Sequence, residues 1–138
     1  HRWLADQIAW AGGPPRVHVG MERVGARPMQ GVVSTFNFGH ATGVVYGVLS
    51  ACVLSMREID PKLWSREMLA GRPRASYQQR KASAVLVASE MFPELREHLV
   101  LTRGRNTGNP RKESGVADAA LISAYLHGIA CAETGATK

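Results

Sequence analysis

Glu22 closes an alternating apolar run, RVHVGMERV, and a charge-free, glycine-spaced stretch follows it, PMQGVVSTFNFGHATGVVYGVLSACVLSM. In a strand, Val17, Val19 and Met21 point one way and His18, Gly20 and Glu22 the other, because side chains alternate with period two. A carboxylate delivered by a strand and followed by a close-packed helix suits a metal-dependent nuclease. A lone acid at a strand end, facing water, is the commoner occurrence. Asp118 is the only acid inside the final helix, in its first turn, where an acid also stabilises the helix dipole by a few tenths of a kcal/mol. Glu113, just before that helix, could reach the same neighbourhood. Carboxylates gathered from distant positions repel unless a cation lies between them, and Mg²⁺ takes oxygen ligands. Two such ions about 4 Å apart activate water and stabilise the leaving oxygen in phosphodiester hydrolysis. The chain holds no GxSxG, P-loop or HExxH, so acids must carry any chemistry.

The elements that must position these acids read as alternating helices and strands. Residues 4–10 form a short helix stopped by the GGPP turn, and residues 16–24 the strand that carries Glu22. Residues 31–51 follow as a helix, with Gly39, Gly43 and Gly47 spaced by four along one face. Each Gly costs about 1 kcal/mol relative to Ala, so the stripe implies close backbone packing. A second strand covers residues 53–59, and a helix starts at Pro61, proline's preferred first turn. Residues 70–81, AGRPRASYQQRK, read as an acid-free basic loop, and ASAVLVASEMF as a helix stopped by Pro93. LTRGRNTGNPRK is a glycine-rich basic loop, and residues 115–130 are the last helix. Strands separated by helices imply an α/β layer structure with helices packed on a central mixed sheet.

The 138 residues suffice for one domain, 45% of them hydrophobic, and 17 Lys and Arg against 11 Asp and Glu give a net charge of +6. A basic excess favours polyanions such as nucleic acid. Cys52 and Cys131 lack metal-site or CxxC spacing and read as buried thiols of a reducing, cytoplasmic compartment. The apolar run 41–56 falls short of the roughly 20 residues of a membrane span, so no membrane association is expected. His40 and His127 read as packing or surface histidines, and His18 as a neighbour of Glu22. Trp3, Trp10 and Trp64 are expected to anchor helices to the core.

Four blocks, in order, resemble the phage- and bacterial-type RuvC Holliday junction resolvases. MERVGARPMQGVVSTFNFGHATGVVYGVLSA is similar to that family's second acidic strand and following helix, and IDPKLW to its next strand exit. RKASAVLVASEMFPEL resembles its lysine-led helix, and RKESGVADAALISAYLHG its terminal acidic motif. No single block is diagnostic; the ordered set, from Glu22 to Gly128, is specific. The resemblance implies an RNase H-like fold with a mixed sheet flanked by helices, a homodimer, and Mg²⁺-dependent nicking of four-way DNA junctions, with Mn²⁺ as a substitute ion and no small-molecule cofactor. By motif position Glu22 and Asp118 become metal ligands and catalytic acids, with Glu113 beside them. Lys81 would contact phosphate or stabilise developing charge. Phe36, Asn37 and Phe38 fall where the family contacts DNA near the junction. Arg72, Arg74 and Arg80, and, in a second cluster, Arg103, Arg105, Arg111 and Lys112, become backbone contacts, which supply salt-dependent affinity with little sequence information.

The chain departs from the family in two places. The family's first catalytic Asp lies on an amino-terminal strand, usually GIDPG, which this sequence does not contain; the expectation is a domain partial at its amino terminus. Where the family commonly has Asp or His before the last glycine, this chain has Glu113-Ser114-Gly115. These departures keep open a non-catalytic DNA-junction-binding module on the same fold; a helical protein-interaction domain with no nucleic-acid role would follow if the two basic clusters lay on opposite sides of the fold.

Overall fold

The computed structural model describes residues 2–23, 25, 29, 31–52, 54, 56–101, 111–112 and 114–135. In chain order these form α1 (Arg2–Trp10), β1 (Val19–Glu22), α2 (Val32–Ala51), β2 (Met56–Ile59), α3 (Pro61–Met68), α4 (Tyr77–Met91), β3 (Val100–Leu101), β4 (Arg111–Lys112) and α5 (Ser114–Thr134). Short 3-10 turns cover Pro14–Arg16 and Pro93–Leu99. The chain divides into two compact units, His1–Glu58 and Ile59–Lys138.

The expected RNase H-like mixed sheet flanked by helices is not what this chain forms. Among the described residues the α-helices hold 73 residues and the strands 12, the strands forming two separate pairs, β1 with β2 and β3 with β4. Two adjacent four-residue strands, β1 and β2, give no central layer broad enough for helices to cover. The alternation over residues 16–24 becomes strand only from Val19, because Pro14, Pro15 and Arg16 are held in a 3-10 turn whose carbonyl at Pro14 accepts from the Val17 N–H. His18 therefore precedes the strand and is exposed.

In the first unit, Ile8 of α1, Leu49 of α2 and Leu54 form the core, with Leu4, Val17, Val19, Cys52 and Met56 against them. Leu49 is the only buried residue of α2. A Cβ built at Gly39, Gly43 or Gly47 meets nothing within 4 Å, so the close packing expected of the glycine stripe is not made among the described residues. Trp3 and Trp10, expected as anchors, are 71% and 86% exposed. They lie seven residues apart on the helix face away from Leu4 and Ile8.

The second unit is a helix-on-helix core. Ala84 and Ala88 of α4 and Ala117 and Leu121 of α5 are essentially solvent-free, with Trp64, Leu69 and Leu99 closing the cluster. Small residues on the facing stripes let two helices approach closely. Pro61 occupies the first turn of α3 while the Asp60 carboxylate accepts from the Lys62 N–H at 2.7 Å. α4 begins at a reciprocal cap: Ser76 Oγ accepts from Gln79 N–H at 3.1 Å, and Gln79 Oε1 accepts from Ser76 N–H at 3.2 Å. That cap extends α4 back through residues 77–81, which the sequence reading leaves in a loop. β3 and β4 pair antiparallel, Val100 opposite Lys112 and Leu101 opposite Arg111. Among the described helices α5 has the length and mean hydropathy, 1.4, of a membrane span. It also supplies Ala117, Leu121, Ile122 and Leu126 to the core, as a buried helix of a folded domain does.

Candidate functional site

Two of the nominated residues, 37 positions apart in the chain, meet in the second unit: the Lys81 ammonium donates to Asp118 Oδ2. The meeting follows from helix periodicity. On α4, Lys81 stands one turn before Ala84 and Val85 on the buried face; on α5, Asp118 adjoins Ala117 and precedes Leu121 by three. Packing the two alanine-bearing faces together brings the polar residues at their amino-terminal ends into contact. The Lys81 and Asp118 side chains are 30% and 18% exposed, so water still reaches the pair. A partly exposed ion pair of this kind contributes on the order of 1 kcal/mol, since screening and side-chain ordering offset most of the Coulomb gain. The ammonium also lies 5.7 Å from the centroid of the Tyr77 ring, within cation–π range.

The first basic cluster is partly occupied by the fold. Arg72 Nη2 pairs with Glu90 Oε2 at 2.5 Å, and Arg74 Nη1 donates to the Arg66 carbonyl at 3.2 Å, tying the connection to the end of α3. Arg80, next to Lys81 in sequence, is exposed; Lys62 and Arg66 of α3, which the sequence reading did not single out, are exposed as well. Of the second cluster, Arg103 and Arg105 lie outside the described residues, as does Glu113. Arg111 and Lys112 are placed by backbone in β4, their side chains outside the description.

In the first unit, Glu22 ends β1 and is half-buried. Phe36, Asn37 and Phe38 lie in the first two turns of α2 and all three are exposed, Phe36 to 71%. Phe36 stacks on His40, ring centroids 6.4 Å apart. His40 and His127 are exposed; the His127 ring lies 3.5 Å from Cys131 Sγ, one helical turn on. Both cysteines are free and half-buried rather than buried.

One constellation escapes sequence reasoning. Tyr46 of α2 donates its phenolic proton to Glu58 Oε1 of β2 at 2.5 Å, and Arg23 Nε lies 3.6 Å from Glu58 Oε2. The hydrogen bond to Glu58, followed by burial and the carboxylate's charge, raises the Tyr46 pKa above its usual 10.0. The available signal was that Glu58 is the first acid after Glu22.

Among the described residues no three His, Cys, Asp or Glu side chains gather as a metal cluster. Asp118 Oδ2 is taken up by the Lys81 ammonium. Set against known proteins, the chain matches no family model and no curated protein.

Proposed function

We propose that the chain is part of a metal-dependent endodeoxyribonuclease that hydrolyses phosphodiesters at branched, four-way DNA junctions. The observation that carries the reading is the contact between Lys81 and Asp118, the two residues that the motif blocks nominate on separate grounds. The order of those blocks, the net charge of +6 and the exposure of Arg80, Phe36, Asn37 and Phe38 support it.

On this reading Asp118 would be a ligand for Mg²⁺, which when bound would supply activated water and charge neutralisation at the phosphate. Lys81 offers an ammonium to a phosphoryl oxygen as negative charge develops there. Arg80, one residue away and exposed, holds the DNA backbone with an affinity that falls as salt rises. Phe36 and Phe38 present aromatic faces to unstacked bases.

The test is nicking of a synthetic four-way junction against linear duplex, in Mg²⁺, by the protein and by Asp118→Asn. The substitution is expected to lower the nicking rate roughly a hundredfold or more with junction binding retained. Unchanged nicking by Asp118→Asn removes the site assignment, and absence of junction binding removes the reading altogether. One observation favours a second reading, a junction-binding module without catalysis: Lys81 already neutralises Asp118. Junction binding with no metal-dependent nicking would select it.

A further inference from the structure

We infer that Cys131 and His127 form a nucleophile and proton-acceptor pair on the outer side of α5, a modification site at which a low-molecular-weight disulfide thiolates the protein. The pair shares no residue with the nuclease reading and stands or falls apart from it.

Residues four apart are neighbours on a helix, and His127 Nε2 lies 3.5 Å from Cys131 Sγ. Ala117, Leu121, Ile122 and Leu126 turn toward the core of the second unit, which puts His127 and Cys131 on the opposite side of α5. His127 is exposed and Cys131 half-buried, so solvent reaches both. Their neighbours on that side of the helix, Ala120, Ser123, Ala124 and Thr134, are small and uncharged. They leave room for an incoming group and offer no acid to draw the imidazole away. Glu133, the acid nearest in sequence, stands roughly half a turn further round the helix. The negative end of α5 favours an imidazolium but opposes a thiolate in the last turn. Thr134 blunts that end, its hydroxyl donating to the Ala130 carbonyl at 2.9 Å and reaching the Cys131 carbonyl at 3.3 Å. The other cysteine is placed differently: Cys52 packs against the apolar core of Ile8, Leu49 and Leu54, surroundings that oppose a charged sulfur.

With the ring proton on Nδ1, Nε2 accepts the thiol proton and leaves a thiolate beside an imidazolium. The thiolate attacks one sulfur of the disulfide. An Sγ–S bond forms as the reagent's S–S bond breaks, and the departing sulfur, reduced to a thiolate, takes the proton back from the imidazolium. Cys131 is oxidised to a mixed disulfide, which excess thiol reverses.

The test follows mixed-disulfide formation on the whole chain with dithiodipyridine, the modified cysteine assigned by peptide mass. At about pH 7 Cys131 is expected to react about tenfold faster than Cys52, because an unaided thiol supplies only a few per cent of thiolate there. By about pH 10, where buffer base removes a thiol proton unaided, that ratio is expected to fall at least about threefold. Accessibility alone gives a ratio that does not move with pH, so this comparison needs no substitution. His127→Gln, at an exposed position, is expected to slow Cys131 about tenfold at about pH 7, to leave Cys52 unchanged, and to match the unaltered protein at about pH 10. A Cys131 rate no greater than that of Cys52, or a ratio constant with pH, overturns the site. So does a His127→Gln rate equal to that of the unaltered protein at about pH 7.

Discussion

The two units spend apolar side chains in opposite ways. α2 in the first is 20 residues long and carries no charge, yet only Leu49 is buried; α4 in the second is 15 residues long, carries Arg80, Lys81 and Glu90, and buries five. Apolar composition did not decide burial. What decided it was a facing surface: α4 meets α5 through alanines small enough to let the helices close, whereas the glycine stripe of α2 meets nothing within 4 Å among the described residues. A charged helix with a complementary partner outperforms a charge-free helix without one.

The sharpest way to break this comparison is to truncate one leucine in each core. Leu121→Ala, at a site with no solvent exposure, is expected to cost about 2–5 kcal/mol in denaturant unfolding. Leu49→Ala, 9% exposed and with two buried neighbours, Ile8 and Leu54, is expected to cost about half as much. Equal costs would mean that the first core is as tightly filled as the second.

A smaller effect tests the stripe itself. Gly43→Ala is expected to stabilise the first unit by about 0.5–1 kcal/mol, because the added methyl meets open space and the helix gains propensity. A lowered melting temperature would show that a partner occupies the stripe in solution.

The smallest effect concerns Tyr46. Its folded-state pKa lies above the unfolded value near 10.0, so its contribution to stability is fully present below that value and is lost as pH rises through the folded one. Tyrosinate absorbance, isolated by subtracting the Tyr46→Phe titration, is expected to fall back toward the usual pKa in Glu58→Gln. An unmoved titration would detach Glu58 from the shift.

Local punctuation was legible in the sequence. Proline at the first turn predicts the start of α3, Pro93 the end of α4, and the apolar run through Ala51 the extent of α2. The α4 start was missed because its capping pair, Ser76 and Gln79, sits in a stretch whose charges suggested a loop. The mixed sheet failed for a different reason. Alternation predicts a strand, but a strand's length is set by what lies beside it, and among the described residues β1 finds only the four residues of β2. The Lys81 and Asp118 contact was nominated residue by residue and then formed by helix packing. The Tyr46 and Glu58 contact was invisible because it depends on two residues 12 positions apart, one on a helix and one on a strand, meeting in space.

The three tryptophans divide along the same line as the cores. Trp64 is 5% exposed, and Trp3 and Trp10 stand in solvent. The chain therefore carries its own optical reporter for each unit. Iodide should extinguish the red-shifted emission of the two exposed indoles and leave the blue-shifted emission of Trp64, whose change during unfolding would time the loss of the second core with no label attached.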